Sequence, residues 1–106
     1  MNEEQFRRHV RQLAQLRGWT LAYHTHNSRR SDAGWPDEVY GHPAAGRTVF
    51  IELKTDTGLI RPAQKQWLRH LAGCGLEVAL WRLRDLALIV ATLAPGGPRA
   101  TLPDTL

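Results

Sequence analysis

The sequence has very little cysteine and no long apolar run. Cys74 is the single cysteine among 106 residues, which agrees with a reducing compartment. No apolar stretch approaches the roughly 20 residues that a membrane-spanning helix needs. The start, Met1-Asn2-Glu3-Glu4, has no basic region followed by an apolar one, so no secretory signal is visible. We therefore expect a cytoplasmic protein without a membrane segment.

Acidic residues are fewer than basic ones. Ten Asp and Glu stand against fourteen Lys and Arg, which gives a net charge of +4 and a pI near 10.0. Most of the excess is arginine, whose planar group can bind two phosphate oxygens at once. A basic chain that also groups acids at one site fits a metal-dependent enzyme acting on nucleic acid. Charge alone supports this interpretation without establishing it, because many basic proteins bind no nucleic acid.

Length and composition indicate one globular unit. A chain of 106 residues with 42% hydrophobic and 23% charged residues can build one core but has little room for a second module. The sequence shows no internal repeat and no interdomain linker. We predict a single domain over residues 1–94. Residues 95–106, with Pro, Gly and few charges, are predicted to be a loose tail.

The chain is organised around residues 48–54. Three β-favouring residues, 49–51, lead into alternating charged and apolar positions, which predicts a strand that leaves the core and enters a polar site. Side chains alternate along a strand, so Phe50, Glu52 and Lys54 should share one face. Taken alone, Glu52 and Lys54 are better interpreted as a surface ion pair at a strand end, which would contribute little.

Asp37 makes a functional site more plausible than a surface ion pair. It lies fifteen positions before Glu52, behind Pro36, which fixes the backbone, and it opens a short run able to form the neighbouring strand. A hairpin through residues 41–46 would bring the two acids together. Two carboxylates on adjacent strands make a hard oxygen site for Mg²⁺, with the Leu53 backbone carbonyl available as a third ligand.

These residues also belong to a longer ordered pattern. Pro36-Asp37 and Glu52-Leu53-Lys54, at this spacing, resemble the PD-(D/E)xK nuclease signature. The wider pattern resembles the VRR-NUC branch of that superfamily and covers the chain from residue 3 to about residue 85. The matching positions are Trp19, Tyr23, His24, Thr25, Ser28, Arg29, Arg30, Ser31, Gly34, Pro36, Asp37, Glu52, Leu53, Lys54, Thr55, Gly58, Gln64, Trp81 and Arg82.

The resemblance implies an α/β fold with a restriction-endonuclease-like core. Its central mixed β-sheet is flanked by helices in the order α-β-β-β-α-β-α. The local patterns predict elements in that order: a helix capped by Asn2 and ended by Gly18, strands at 19–23, 37–39 and 47–54, a helix from Pro62, a strand at 76–81 and a helix at 86–93 capped by Asp85. The apolar stripe of the first helix is predicted to contain Phe6, Val10, Leu13, Ala14 and Leu16.

The resemblance further implies a DNA endonuclease that uses Mg²⁺, for which Mn²⁺ may substitute. Asp37, Glu52 and the Leu53 carbonyl would hold the metal, and Lys54 would stabilise developing charge or orient the nucleophile. Gln64 would place its amide near the attacking water or the phosphate; the alternative is a hydrogen bond to backbone. Asp37, Glu52, Lys54 and Gln64 are thus the predicted catalytic residues.

The sequence leaves the roles of two further acids open, one on the first helix and one directly after Asp37. In related nucleases an acidic residue of the first helix contributes to the metal site, and Glu3 matches that position, with Glu4 as an alternative. Composition alone favours charge compensation at the helix start for both. Glu38 departs from the apolar residue expected after Pro-Asp. It should either face solvent or add an acid near the site.

The expected partner is DNA. Residues 24–34 are polar and basic, so we predict a surface loop in which His24, Ser28, Arg29, Arg30 and Ser31 bind phosphate. His24 and His26 could instead be metal ligands, although spaced loop histidines are more often plain solvated residues and no zinc pattern is present. Without a visible base-reading module, recognition of DNA shape is expected, at a flap, nick or Holliday junction.

The expected assembly is a homodimer. The helix at residues 86–93 is apolar on nearly every side, which suggests burial by a second copy. Standalone VRR-NUC proteins occur in phages and bacteria and resemble Holliday junction resolvases, so the expected location is the cytoplasm of a bacterial or phage-infected cell. The alternatives are a catalytically inactive nucleic-acid-binding module on the same fold and a structural or assembly protein.

Overall fold

The helices and strands follow the predicted order. The computed structural model describes residues 1–25 and 32–106. The elements are α1 (Glu3–Leu16), β1 (Leu21–His24), β2 (Glu38–His42), β3 (Arg47–Lys54), α2 (Pro62–Gly73), β4 (Glu77–Arg82), a short 3₁₀ helix (Leu83–Asp85) and α3 (Leu86–Leu93). The sequence did not predict the 3₁₀ turn, and the predicted α/β fold is confirmed.

The four strands form one mixed sheet in the order β1-β2-β3-β4. The first two neighbouring pairs are antiparallel, while β3 and β4 run parallel. The predicted hairpin joins β2 to β3, and its register pairs Glu38 with Ile51 and Tyr40 with Val49. Gly46 completes the turn with a φ of +65°, a conformation that glycine adopts without steric cost. β2 begins at Glu38, one residue later than predicted, so Asp37 lies at its entrance.

The first helix is capped as its sequence predicts. The Asn2 side chain accepts the Gln5 N–H at 2.8 Å, and the Gln5 side chain accepts the Asn2 N–H at 2.9 Å. Phe6 is buried in the core, as are Val10 and Ala14, but Leu16 is 85% exposed. The prediction for Leu16 is wrong because residues two apart do not share a helix face, and Ala14 already faces inward.

The core lies on both faces of the sheet. On one face α1 and α3 cover Val49, Ile51 and Leu53, and Trp19 donates its indole N–H to the Leu93 carbonyl at 2.8 Å. This use of Trp19 in the core explains why β1 begins only at Leu21. On the other face α2 forms a second cluster, in which Leu68, Leu71 and Val78 pack with Phe50, Trp67, Ala72, Leu102 and Leu106. The predicted alternation along β3 is therefore confirmed.

Residues 95–106 are packed against the sheet, contrary to the expected loose tail. Ala100 is buried, its N–H donates to the Glu77 carboxylate at 3.0 Å, and its carbonyl accepts the Val78 N–H. Arg47 donates to the carbonyls of Ala94, Pro95 and Pro98. These contacts join side chains to carbonyls of a segment without regular structure, and neither composition nor periodicity indicates such contacts.

The last helix keeps apolar side chains at the surface. Leu86, Leu88 and Val90 are exposed, whereas Ile89 and Leu93 enter the core. Asp85 does not cap α3; its carboxylate accepts the Arg82 N–H at 2.8 Å instead. In the described part of the chain, no helix is both long and apolar enough to cross a membrane.

Candidate active site

Asp37 and Glu52 come together because the β2–β3 hairpin sets their register. Glu38 pairs with Ile51, so the next pair towards the strand end is Asp37 and Glu52, on the α2 face. The Asp37 carboxylate accepts the Leu53 N–H at 3.3 Å and lies within hydrogen-bonding reach of Glu52. The predicted juxtaposition of the two acids is therefore present.

Gln64 connects α2 to the same carboxylate. Its side-chain N–H₂ group donates to Glu52 Oε2 at 3.1 Å, and its Oε1 accepts the Arg61 N–H at 2.9 Å. The Gln64 side chain thus makes both kinds of contact that the sequence left open. It hydrogen-bonds the backbone of Arg61 and also the Glu52 carboxylate. Gln64 satisfies an unpaired N–H at the start of α2 and fixes the position of one Glu52 oxygen.

Lys54 lies beside Glu52 on the face predicted from the strand alternation. Its ammonium nitrogen is 3.7 Å from Glu52 Oε2, and its side chain is mostly buried. An amine at this distance partly offsets the negative charge of the buried acid. Asp37, Glu52, Lys54 and Gln64 therefore form one constellation at the carboxyl end of β3.

The electrostatics of this site centre on Glu52, which is only 1% exposed. Burial raises the pKa of Glu52 to about 9, and the charge and hydrogen bond of Asp37 push it in the same direction, against the opposing charge of Lys54. Glu52 Oε1 is buried without a hydrogen-bond partner among residues 1–25 and 32–106. In its ionised form the acid thus has one oxygen held by Gln64 and Lys54, while Oε1 has no donor among the described residues.

Of the two acids in the first turn of α1, Glu3 is the one that acts on the site. Its charge further raises the pKa of Glu52. Glu4 instead forms ion pairs with Arg7 and Arg8, each at 3.9 Å. The electrostatic effect on Glu52 therefore favours Glu3 over Glu4 as the acidic contribution of α1, and its role as a metal ligand stays a prediction.

A tight turn holds Asp37 against the first turn of α2. Gly34 has a φ of +91°, and a Cβ at this position would overlap the Ala63 carbonyl and approach Gln64 N to 2.8 Å. Trp35 then packs edge-to-face against Phe50 and Trp67. The sequence did not reveal that this turn approaches the helix that carries Gln64.

Glu38 is buried on the opposite face of the sheet from Asp37. Its two oxygens lack hydrogen-bond partners in the described chain, and they lie 4.0 Å from Arg7 Nε and 3.4 Å from His24 Nδ1. Burial raises the pKa of Glu38 to about 7, although the charges of Arg11 and Arg7 oppose this. The expectation that Glu38 faces solvent is therefore wrong, because strand alternation turns its side chain into the core. The charge of Asp37 still raises the pKa of Glu38 further, and a role for Glu38 as an extra acid near the site stays a prediction.

The predicted phosphate-binding residues are only partly described. His24 lies at the end of β1 with its Nδ1 3.1 Å from the Asp37 carbonyl oxygen, so it borders the site. Ser28, Arg29, Arg30 and Ser31 lie outside the described residues, as does His26.

Arg82 fixes the turn that follows Lys54. Its guanidinium donates to the Thr55 carbonyl at 2.7 Å and to the Gly58 carbonyl at 2.6 Å. The turn therefore has a defined shape at the carboxyl end of β3, where Lys54 lies. This contact joins three positions of the sequence pattern, namely Arg82, Thr55 and Gly58.

The oxygen donors that come together in the described part of the chain belong to the two strands. Within residues 1–25 and 32–106, no group of three or more His, Cys, Asp or Glu side chains is arranged to hold a metal ion. The oxygen donors that do come together are the carboxylates of Asp37 and Glu52, next to the backbone of Leu53. Hard oxygen donors of this kind suit Mg²⁺ or Mn²⁺ rather than zinc.

Comparisons with known proteins agree with this architecture. The VRR-NUC domain matches residues 2–85. A solved structure described as a VRR_NUC domain protein has 18% sequence identity and a TM-score of 0.58, and the likeness covers 92% of each chain, which supports the fold. No curated protein matches the chain. Because the matched domain spans most of the sequence, the chain belongs to the VRR-NUC family, a membership that implies a nuclease function.

Proposed function

We propose that this protein is a divalent-metal-dependent DNA endonuclease that hydrolyses phosphodiester bonds in branched, flapped or Holliday junction DNA. The observation that carries the proposal is the buried Glu52 carboxylate beside Asp37, with Lys54 and Gln64 directed at its oxygens. A buried acid that repels its neighbour and keeps one oxygen unsatisfied is destabilising unless a positive charge or a proton accompanies it.

The residues fit a Mg²⁺ ion, for which Mn²⁺ may substitute. A cation would satisfy Glu52 Oε1 and replace the proton that the raised pKa of Glu52 implies. Leu53 directs its N–H towards Asp37, and in a strand the N–H and the carbonyl of one residue face the same neighbour, which supports its carbonyl as a third ligand. When bound, such an ion neutralises phosphate charge and lowers the pKa of a coordinated water.

The other side chains have roles that follow from their contacts. Lys54 is placed to stabilise charge that develops on the phosphate oxygens, since its ammonium group stays within 3.7 Å of Glu52. Gln64 keeps the Glu52 carboxylate in one orientation and is itself held by the backbone of Arg61. Glu3 adds negative charge from α1 and is proposed as a further, weaker metal ligand.

DNA is the proposed substrate because the chain carries a net charge of +4 around an acidic site. His24 borders the site, and Ser28, Arg29, Arg30 and Ser31 follow it in the sequence as proposed phosphate-binding residues. A single small domain without a base-reading module is better suited to DNA shape than to sequence.

A homodimer is proposed on the exposed apolar side chains of α3. Leu86, Leu88 and Val90 lie at the surface of a helix without a charged residue. Two copies related by a two-fold axis would present two active sites to the two strands of a branched substrate. Sedimentation of the wild type and of Leu88→Glu tests this proposal: a monomeric wild type would contradict it.

The catalytic proposal is tested by removing each carboxylate. Asp37→Ala and Glu52→Ala should each lower cleavage in Mg²⁺ by at least about a hundredfold and leave DNA binding largely unchanged, because the loss of a negative charge does not repel phosphate. Asp104→Ala, which removes an exposed acid elsewhere, is the matched control. Cleavage should be assayed on flapped, four-way, single-stranded and linear DNA with Mg²⁺, Mn²⁺ or EDTA.

The outcomes separate the alternatives. Full cleavage by either carboxylate variant would refute the assignment of the site. Salt-dependent binding without cleavage in any metal would indicate a catalytically inactive nucleic-acid-binding module, against which the complete set of Asp37, Glu52 and Lys54 argues. A protein without affinity for DNA would indicate a structural role.

A further inference from the structure

A row of aromatic rings leads away from the active site along one flank of α2. Trp35 lies two residues before Asp37, and its ring centroid is 5.0 Å from that of Trp67, with the planes at 83°. Trp67 in turn contacts the His70 imidazole at 6.1 Å between centroids. We call Trp35, Trp67 and His70 the aromatic row.

The aromatic row leaves ring surface that packing does not use. Trp35 and Trp67 are partly exposed and His70 is exposed, whereas Trp19 and Trp81 are fully buried in the core. Trp67 and His70, with Gln66, line a surface notch of about 340 Å³. A volume of this size is at the lower end of the range for small-molecule sites. A flat ligand in this notch can therefore contact Trp67 and His70 without unfolding the core around them.

The notch is close enough to the proposed catalytic groups for one DNA strand to contact both. Gln64, which donates to Glu52, is one helical turn before Trp67 and nearly two turns before His70. A turn of α-helix rises about 5.4 Å, and neighbouring nucleotides of a stacked strand are about 3.4 Å apart. A base one to three nucleotides from the cleaved phosphate therefore reaches the row.

We propose that the aromatic row stacks an unpaired base of the DNA substrate. Aromatic side chains bind bases through their ring faces, and in a duplex those faces are covered by the neighbouring base pairs. The proposal rests on the proposed nuclease function and narrows its substrate class. It favours DNA with unpaired nucleotides next to the cleavage point, such as a flap, over a fully paired four-way junction.

The charge of α2 agrees with a DNA strand passing over it. No Asp or Glu occurs between Asp56 and Glu77, so no carboxylate of this segment repels phosphate. Arg61, Lys65 and Arg69 follow one another at four-residue spacing, which places them along one side of the helix. This side of the helix is the flank away from Trp67 and His70. Cations there would contact the phosphate backbone of a DNA strand that crosses the helix and places a base on the aromatic row.

The test measures stacking in EDTA, where cleavage cannot occur. A flap that carries the fluorescent adenine analogue 2-aminopurine one, two or three nucleotides from the branch is titrated with the wild type, His70→Ala and Trp67→Leu. We expect quenching at one of these positions by the wild type and weaker flap binding by both variants, by about tenfold for Trp67→Leu. Binding of paired duplex should be unchanged.

Controls separate stacking from folding and from catalysis. His9→Ala removes an exposed histidine of α1 and should behave as the wild type. His70 is also exposed, so His70→Ala should fold normally even if Trp67→Leu loosens the packing under α2. Unchanged quenching and flap preference in both variants would overturn the base-stacking proposal, even if the protein cleaves DNA. If the protein cleaves no DNA, but the two variants of the aromatic row lose the quenching, the result would support base binding and refute the proposed nuclease function.

Discussion

Gln64 donates its side-chain N–H to Glu52 Oε2 at 3.1 Å while its own carbonyl oxygen accepts the Arg61 N–H at 2.9 Å. One glutamine therefore caps a helix and orients an acid on the neighbouring strand. The position of α2 relative to β3 and the orientation of the Glu52 carboxylate are consequently set by the same side chain. Four predictions follow from this and related contacts.

The first prediction concerns Gln64→Ala. The Glu52 carboxylate would lose its fixed partner, and we expect cleavage to fall about 10- to 100-fold, as is typical when a residue that orients a metal ligand is lost. The unpaired Arg61 N–H should lower the free energy of unfolding by about 1 kcal/mol. Single-turnover cleavage and urea unfolding measure the two effects. Gln12→Ala, an exposed glutamine of α1, is the control, and equal cleavage by the two variants would contradict the orienting role.

The second prediction concerns the stability of the metal-free protein. Folded Glu52 retains its proton up to about pH 9, while the unfolded chain releases it near 4.5, so the folded state binds more protons and its stability falls as pH rises between these values. Glu52→Gln removes this dependence. In EDTA at pH 8 the variant should be more stable than the wild type by on the order of 2 kcal/mol.

Urea unfolding at pH 5, 7 and 8.5 in EDTA measures this difference. The gap between Glu52→Gln and the wild type should widen as pH rises. Addition of Mg²⁺ should stabilise the wild type and have little effect on the variant, since the amide is a poorer ligand. A constant gap across this pH range would contradict the raised pKa of Glu52.

The third prediction uses two glycines of positive φ as a matched pair. Gly34→Ala must overlap the Ala63 carbonyl, whereas a Cβ at Gly46 meets no atom within 4 Å. Gly46→Ala should lower the free energy of unfolding by about 1 to 2 kcal/mol through backbone strain alone. Gly34→Ala should cost more and should also reduce cleavage, because the Asp37 turn moves away from α2. Equal thermal shifts in the two variants would show that the close contact at Gly34 is unimportant.

The fourth prediction concerns the pair of Arg47 and Glu77, far from the active site. The guanidinium donates to both carboxylate oxygens, at 3.1 and 2.6 Å, and both side chains are largely buried. Arg47→Met leaves Glu77 without its partner and should lower the free energy of unfolding by about 3 to 5 kcal/mol. Arg99→Met, which removes an exposed arginine, should have a much smaller effect in the same urea titration.

The pair also predicts an acid-dependent loss of stability. Burial by itself would raise the pKa of Glu77, but hydrogen bonds from Arg47 and the Ala100 N–H hold it below its usual range. A depressed pKa contributes stability that is present above the unfolded value, near 4.5, and is lost as pH falls through the folded value. Between pH 6 and 3 the wild type should therefore lose more stability than Glu77→Gln. Parallel pH profiles would contradict this account.

The sequence was sufficient to predict the helices and strands and the strand that carries Glu52 and Lys54, because both depend on local rules. Alternation placed Glu52 and Lys54 on one face of β3, and the hairpin length placed Asp37 beside them. Local rules also explain the Asn2 cap and the buried stripe of α1. Each of these features joins residues that are close in sequence or related by a single turn.

The parts that the sequence did not predict are set by packing between distant segments. The burial of Glu38 against α1 depends on which face α1 covers, and the period of the strand alone leaves that open. The carbonyl acceptors of Arg47 lie 47 to 51 positions away, in a segment with no hydrophobic period. Trp67 packs in the cluster under α2, yet one flank of its ring reaches the surface beside His70.

The anchoring of Arg47 has a practical consequence for defining the smallest active fragment. The family match stops at residue 85, but truncation there would delete all three carbonyl acceptors of Arg47 and the backbone that satisfies Glu77. Arg47 is the first residue of the strand that ends in Glu52 and Lys54. Trimming the carboxyl terminus would therefore disturb the start of the strand whose other end carries Glu52 and Lys54.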